Sequence, residues 1–341
     1  MLNIFLRTLR ITSLAAASLA LILCAGAAHA QPVEVLLTND DGVDAPGLQA
    51  VYDALQSVSG INVTVVAPAG NASGTGYGFD TTFPGGVFHV DSATLLSDGV
   101  NTGYGISRED EDLTETTTQT VSASPADCIR CALNQLYPPE EHGAILVVSG
   151  SNRGQNYGKL GTLASGTVGG AGTARQLGVG RAIAVSQGLS ISSSLIGVNP
   201  AEYTAGGQFI ANLVQAIVNG DKSVKKLDKA MENGAFLNVN IPPNIGNAPP
   251  LVGALVTKAL ADRAIVTTYT ESTTVDTTTD YTIDFDLSSL ETLGPDAEAY
   301  SIKTDVGAVA RSYISVQPIF VARSAKGGGK IDESLLTNVT P

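Results

Sequence analysis

The sequence has few of the residues on which many hydrolases and nucleic-acid-binding proteins depend. Only 3 of its 341 residues are histidine and 3 are cysteine, and 19 basic residues stand against 32 acidic ones. No cluster of lysine and arginine interleaved with aromatic residues is present, which argues against a protein that binds duplex nucleic acid. The formal charge of −13 at pH 7 means that an anionic substrate would need a local positive charge, such as a metal ion.

Several catalytic motifs are missing as well. The chain has no Gly-x-Ser-x-Gly elbow with a nearby histidine, which disfavours the common serine hydrolases. The glycine-rich segment 70–74 lacks the Gly-Lys-Ser/Thr ending of a P-loop. His89 and His142 are interpreted as surface or loop histidines. For Cys128 and Cys131, one helical turn apart, core packing is favoured over a redox role because no thioredoxin-like context surrounds them.

Residues 1–30 have the composition of a secretory signal peptide. Two arginines and no acidic residue precede a short apolar stretch, which ends in Ala28-His29-Ala30 as an Ala-x-Ala cleavage pattern. A membrane anchor is the less favoured interpretation, because the apolar core is short and ends in small residues. We therefore expect a periplasmic or secreted protein that is cleaved near Ala30-Gln31 and has no membrane attachment afterwards.

Three short apolar runs each lead into a polar, glycine-rich loop and then into a segment with helical periodicity; the runs are 33–37, 63–67 and 144–148. This repetition predicts an α/β fold with a Rossmann-like, mostly parallel sheet flanked by helices. Further helices are predicted near 126–136 and 204–219. Because the carboxyl ends of parallel strands meet at one edge of the sheet, the three loops should assemble a site there.

The first loop contains Asn39-Asp40-Asp41-Gly42 directly after its strand. Two adjacent carboxylates repel each other and cost free energy to desolvate unless a positive charge lies beside them. A divalent cation such as Mg²⁺, Mn²⁺ or Ca²⁺ is the usual partner, because these ions prefer hard oxygen ligands. The alternative interpretation is an Asx-rich turn that only caps the next helix.

In these loops the chain resembles the SurE family of metal-dependent nucleotidases, also called survival protein E. The family motifs occur here in the same order between about residues 33 and 320, and several spaced motifs are more specific than any one alone. The matches are Asn39 to Gly42, Ala45 to Gly47, Val66 to Pro68, Asn71 to Gly74, Pro125 to Cys128, Val148 to Asn156, Ser165 to Val168, Leu237 to Pro242, Thr304-Asp305 and Ser315 to Pro318.

The resemblance implies one divalent cation per subunit, Mg²⁺ or Mn²⁺, bound by Asp40, Asp41, Ser73 and Asn152. All four would bind through oxygen, which suits these ions, and the set contains no thiolate or imidazole, which argues against zinc. The alternatives are that Ser73 is a turn hydroxyl and that Asn152 bonds to its own loop backbone.

Phosphate binding is expected at Ser165, Gly166 and Thr167, where a helix begins with unpaired backbone N–H groups and two hydroxyls. The alternative interpretation of the serine is a plain helix cap, and one side chain could serve both purposes. Asn71 and Asn156 are neutral side chains that could hold the substrate without adding charge.

The expected reaction is hydrolysis of a nucleoside monophosphate, 5′ or 3′, or of a small phosphomonoester, by a metal-activated water. Asp40 and Asp41 are the candidate catalytic residues, as ligand and proton acceptor, and the sequence does not assign the two roles. A broad-specificity secreted acid phosphatase is a second hypothesis, since Lys159-Leu160-Gly161 stands where the family usually has acidic residues. A third is a non-catalytic secreted protein that binds metal and nucleotide, and a fourth is a Ca²⁺-stabilised structural domain.

The predicted domain organisation is a single SurE-like nucleotidase domain over 31–323 with a flexible tail at 324–341. Two insertions are expected, near 97–122 and 267–284. The second alternates Thr, Val, Tyr and Asp, a pattern typical of a solvent-facing β-hairpin. In the family, arms from the C-terminal half are exchanged between subunits, so the resemblance implies a homodimer or homotetramer.

Overall fold

The computed structural model describes residues 31–78, 87–93, 103–112, 117–189, 199–243, 251–257, 266–275, 278–286 and 301–320. The predicted signal peptide at 1–30 and the predicted tail at 324–341 lie outside the described residues, so both stay predictions. Within the described ranges, no helix combines the length and the apolar character needed to cross a membrane.

Twelve strands occur in the described part of the chain, ten of them in one sheet. In chain order they are β1 Val33–Thr38, β2 Ile61–Pro68, β3 Phe88–Ala93, β4 Gly103–Asp112, β5 Thr117–Ser122, β6 Leu146–Arg153, β7 Arg181–Gln187, β8 Ala235–Ile241, β9 Gly253–Val256, β10 Val266–Val275, β11 Thr278–Asp286 and β12 Tyr313–Phe320. The large sheet has the order β3-β4-β2-β1-β6-β7-β8-β12-β9, and β5 pairs with β4.

The centre of this sheet is parallel. β4, β2, β1, β6, β7 and β8 pair in parallel, whereas β12 runs antiparallel to β8, and β3 and β5 run antiparallel to β4. The loops that follow β1, β2, β6, β7 and β8 therefore all leave the sheet at the same edge. The predicted fold class, a mostly parallel Rossmann-like sheet, is confirmed.

Helices cover both faces of the sheet. They are α1 Pro46–Leu55, α2 Pro125–Leu136, α3 Gly158–Ala164, α4 Gly166–Gln176, α5 Thr204–Val218, α6 Lys225–Glu232 and α7 Asp305–Val309, with 3₁₀ turns at Pro139–Ala144 and Pro200–Tyr203. Val35 and Leu37 pack with α1, α5 and α6, while Leu36 packs with α2 and α4 on the opposite face. Because successive strand residues point to opposite faces, a strand covered on both sides is apolar at consecutive positions, as β1 is from Val35 to Leu37.

β10 and β11 form a separate two-stranded antiparallel sheet, with Val266 opposite Asp286 and Val275 opposite Thr278. This confirms the hairpin predicted within 267–284. The antiparallel pair β4 and β5 lies in the other stretch predicted as an insertion, 97–122, and the boundaries of that insertion stay a prediction.

Candidate active site and metal centre

Three loops meet at the carboxyl edge of the parallel strands: the first loop (residues 39–45), the second loop (69–78) and the third loop (154–157). The Ala72 N–H of the second loop donates to the Asp40 carbonyl oxygen over 2.7 Å. At the end of β6, the Arg153 N–H donates to Asp41 Oδ2 over 2.7 Å. The first loop is thus bonded to the second loop through Asp40 and to the end of β6 through Asp41.

Asp40 is buried, with 2 % of its surface exposed, and the start of α4 holds its carboxylate. The Thr167 hydroxyl donates to Asp40 Oδ1 over 2.5 Å, and the Thr167 N–H donates to Oδ2 over 3.1 Å. A Cβ at Gly166 would lie 3.0 Å from Asp40 Oδ2 and 2.7 Å from the Thr75 hydroxyl. Only glycine allows the helix backbone to come this close to the carboxylate.

Burial and mutual repulsion disfavour the ionised forms of the two carboxyl groups. Burial raises the pKa of Asp40, and the hydrogen bonds from Thr167 partly oppose that rise. Burial and then repulsion from Asp40 raise the pKa of Asp41 to about 7. A positive charge next to both groups would favour their ionised forms and lower both pKa values.

The remaining two predicted ligands lie on neighbouring segments of the same edge. A register irregularity between Ser149 and Asn152 interrupts the pairing of β6 with β7, and such bulges commonly redirect a side chain beside an active site. Asn152 Nδ2 donates to the Gly154 carbonyl over 2.8 Å, so its amide oxygen is the atom suited to a cation. Ser73 is exposed and follows Ala72, the residue bonded to Asp40.

This donor set fits a hard divalent cation. In the part of the chain that the structure describes, no three side chains of histidine, cysteine, aspartate or glutamate come together. A cation at this edge would therefore take two carboxylates and complete its shell with hydroxyl, amide and water oxygens, as Mg²⁺ and Mn²⁺ do. The buried Asp40 and the partly buried Asp41 supply the negative charge that such an ion needs.

The residues predicted to bind phosphate have protein partners as well. Ser165 Oγ accepts the Val168 N–H over 3.1 Å and caps α4, and both donors of Thr167 face Asp40. Asn71 Oδ1 accepts the Ser73 N–H over 2.8 Å, so its Nδ2 is the group that could donate to a phosphate. Direct phosphate binding at these positions stays a prediction.

Asn156 lies against the ends of β7 and β8. Its Nδ2 donates to Ser186 Oγ over 2.9 Å, and its N–H donates to Asn240 Oδ1 over 2.7 Å. The Asn156 carbonyl accepts from Nδ2 of Asn238 and of Asn240. Sequence reasoning assigned no role to these two asparagines, although they alternate within a fully buried strand and so point to the same face.

A family model gives the same assignment as the motifs. The model of the family described as Survival protein SurE matches residues 35–265, more than half of the chain. The chain belongs to the SurE family. The resemblance predicted from the spaced motifs is thereby confirmed, and the first, second and third loops all lie within the matched residues.

Relatives and a solved structure cover most of the same chain. The protein is 27 % identical over 299 residues to the 5′-nucleotidase SurE of Natranaerobius thermophilus, covering 84 % of this chain and 92 % of that one. It is 29 % identical over 291 residues to the 5′-nucleotidase SurE of Carboxydothermus hydrogenoformans, covering 84 % and 90 %. The crystal structure of the SurE protein from Aquifex aeolicus is similar with a TM-score of 0.55 at 27 % identity, covering 85 % of this chain and 94 % of that one.

Proposed function

We propose that this SurE family member is a nucleotidase, a phosphoric monoester hydrolase that releases phosphate from nucleoside monophosphates with one divalent cation, Mg²⁺ or Mn²⁺, at the first loop. The observation that carries the proposal is the adjacent pair Asp40, which is buried, and Asp41, which is partly buried. Thr167 and Arg153 hold the pair at the carboxyl edge of the parallel strands. The name 5′-nucleotidase SurE of the relatives supports the substrate class.

A bound divalent cation would supply Lewis acidity to the phosphoryl group and to an attacking water. The chain's own residues orient the ligands and accept the proton. Thr167 occupies both oxygens of Asp40 and keeps that carboxylate oriented, which suits a ligand. Asp41 is partly exposed and its Oδ2 accepts the Arg153 N–H, so Oδ1 is the oxygen that we propose for the proton. We assign Asp41 the role of proton acceptor.

The start of α4 supports the carboxylate in this scheme. Helix N-termini carry a partial positive charge that favours an anion, and the Thr167 N–H directs it to Asp40. The cation and amide donors such as Nδ2 of Asn71 would contact the substrate phosphate. This arrangement allows a protein of net charge −13 to bind an anionic ester.

Phosphate release by the purified chain tests the proposal. The panel contains nucleoside 5′- and 3′-monophosphates, p-nitrophenyl phosphate and glycerol phosphate, each measured in EDTA, Mg²⁺ and Mn²⁺. We expect metal-dependent turnover with nucleotides preferred, and a loss of at least roughly 100-fold in Asp40→Asn, on the scale of a lost catalytic interaction. The control is Asp53→Asn, a change on the exposed side of α1.

Two results would favour a different function. Equal kcat/KM on nucleotides and on p-nitrophenyl phosphate would make the protein a broad-specificity phosphatase. Binding of Mn²⁺ and nucleotide by folded protein without turnover would make it a binding protein. Secretion after cleavage near Ala30-Gln31 is part of the same proposal, and the N-terminal sequence of the exported protein tests it.

A further inference from the structure

The segment between β6 and α3 is bonded to a carboxylate at each of its ends. At the front, the Arg153 N–H donates to Asp41. At the back, the Gly158 N–H donates to Asp305 Oδ2 over 2.6 Å, across 147 residues of chain. The third loop therefore lies between one aspartate of the candidate metal site and another that comes from the C-terminal part of the fold.

The residues between these two points are anchored to the ends of β7 and β8. The Gly154 N–H donates to the Gln187 carbonyl over 2.9 Å. Gln155 Nε2 donates to the Ile241 carbonyl over 3.1 Å, and the Asn156 N–H donates to Asn240 Oδ1. These three acceptors lie on β7 and β8 of the central sheet. The bond from Gly158 to Asp305 depends instead on the position of α7.

Asp305 replaces a cap that α3 lacks. Tyr157 precedes α3, and its side chain makes no capping hydrogen bond among the described residues. The first N–H of the helix therefore needs another acceptor. Asp305 is fully buried and provides it, while its Oδ1 accepts the Val306 N–H over 2.8 Å. Tyr157 packs against Val306 and Val309 of α7, so the Asp305 carboxylate and this apolar contact both fix the start of α3.

Hydrogen bonds connect α3 to the second loop and to the start of α4. Its last carbonyl, that of Ala164, accepts the Gly76 N–H of the second loop over 3.1 Å. The Gly161 carbonyl accepts the N–H of Ser165 over 3.2 Å, and Ser165 is the cap of α4, whose Thr167 holds Asp40. A shift of the start of α3 would therefore displace the second loop and the start of α4.

We propose that Asp305 is a positioning residue of the metal site: its carboxylate fixes the start of α3 and, through it, the geometry of Asn152, Asp40 and the second loop. An asparagine at this position would retain one acceptor oxygen and present an N–H₂ group to the second backbone N–H. One of the two bonds, to Gly158 or to Val306, would then be lost. The activity readout rests on the proposed hydrolysis and the Mn²⁺ readout on the proposed metal site, whereas hydrogen exchange rests on neither.

The test compares Asp305→Asn with Asp228→Asn. Asp228 is a suitable control because it is a carboxylate that likewise accepts two hydrogen bonds, although it is only partly buried. Both bonds come from Arg181, the first residue of β7 at the opposite edge of the sheet. Mn²⁺ affinity is measured by calorimetry, exchange of backbone amides by mass spectrometry, and kcat and KM with a nucleoside monophosphate.

For Asp305→Asn we expect Mn²⁺ affinity to fall about 10- to 100-fold, the usual range for residues that orient metal ligands. Exchange in the peptide covering 154–165 should accelerate at least tenfold, with no change in α5, and kcat/KM should fall with the affinity. Asp228→Asn should keep the wild-type Mn²⁺ affinity and the wild-type exchange at 154–165, even if its melting temperature drops as much as that of Asp305→Asn.

Unchanged Mn²⁺ affinity and unchanged exchange at 154–165 in folded Asp305→Asn would overturn the proposal. If this variant does not fold, Val306→Ala replaces it, because it loosens the packing of α7 on Tyr157 while keeping the carboxylate, and the same two readouts decide. A wild-type protein without turnover would disprove the proposed function, while the affinity and exchange data would still decide the role of Asp305.

Discussion

Thr167 contacts both carboxylate oxygens of Asp40, one through its hydroxyl at 2.5 Å and the second through its backbone N–H at 3.1 Å. Hydrogen bonds to an ionised acceptor are about twice as strong as neutral ones. The contact also lies at the positive end of α4. Asp40 can therefore stay oriented and ionisable although burial raises its pKa.

The first prediction removes the hydroxyl half of this contact. Thr167→Val keeps the shape and the backbone N–H but deletes one donor, so the pKa of Asp40 should rise further. Mn²⁺ affinity at pH 7 should fall about 10- to 100-fold, and the difference from the wild type should narrow as pH rises, because the proton competes with the cation. The matched control is Thr162→Val, because the Thr162 hydroxyl is buried without a hydrogen-bond partner among the described residues. Equal affinity in both variants would contradict the role of Thr167.

The second prediction concerns the pH dependence of the metal-free protein. Asp41 has a pKa of about 7 in the folded protein against 3.8 normally, so between these values the folded state binds the proton that the unfolded state has lost. The free energy of unfolding should therefore fall as pH rises from about 4 to 7, by up to about 1.4 kcal/mol per pH unit.

Urea unfolding in EDTA at pH 5, 6 and 7 measures this slope. In Asp41→Asn the slope should be clearly flatter, because the titrating group is gone. Saturating Mn²⁺ should stabilise the wild type more at pH 7 than at pH 5, since binding competes with the proton. Parallel slopes in the two proteins would show that Asp41 titrates normally.

The third prediction tests the close approach of α4 to the carboxylate. Gly166→Ala places a methyl group 3.0 Å from Asp40 Oδ2 and 2.7 Å from the Thr75 hydroxyl, so the helix start must shift. We expect kcat/KM to fall at least tenfold and the free energy of unfolding to drop by about 1–3 kcal/mol. Gly143→Ala is the control, because a Cβ there meets no atom of the described residues within 4 Å. Wild-type activity in Gly166→Ala would show that this proximity has no functional importance.

The fourth prediction separates stability from activity. Ser124 caps α2: its hydroxyl accepts the Asp127 N–H over 3.1 Å, and Asp127 Oδ2 accepts the Ser124 N–H over 3.3 Å. Ser124→Ala should lower the free energy of unfolding by about 1 kcal/mol, measured by urea denaturation. Its kcat and Mn²⁺ affinity should equal those of the wild type. A parallel loss of Mn²⁺ affinity would mean that α2 contributes to the site.

The sequence predicted those features that depend on residues close together in the chain. The apolar run before Asp40 predicted β1, helical periodicity at 204–219 predicted α5, and alternation at 267–284 predicted the β10–β11 hairpin. The order of strands and loops also predicted that the three loops lie at one edge of the sheet, because the carboxyl ends of parallel strands all lie there.

The sequence did not predict the contacts between residues that are far apart in the chain. Thr167 was predicted to bind phosphate because it lies at a helix start, but 127 residues separate it from the Asp40 carboxylate that it contacts. Asn240 and Asp305 stand in segments that matched the family without an assigned role. Hydrophobic periodicity reports which face of an element is buried, but it does not report which polar atom of a distant element the buried face will meet.

The anchoring of the third loop has a consequence for when the protein becomes active during its synthesis. The partners of residues 153–158 include Asp41, Ser186, Gln187, Asn238, Asn240, Ile241 and Asp305. The last of these precedes β12, which inserts between β8 and β9. Contacts between distant residues form slowly because they require the closure of large chain loops. A nascent chain that ends before residue 305 can already form β1 and both aspartates, yet it lacks the last of these anchors. Hydrolysis should therefore begin only after nearly the whole chain has left the ribosome and folded.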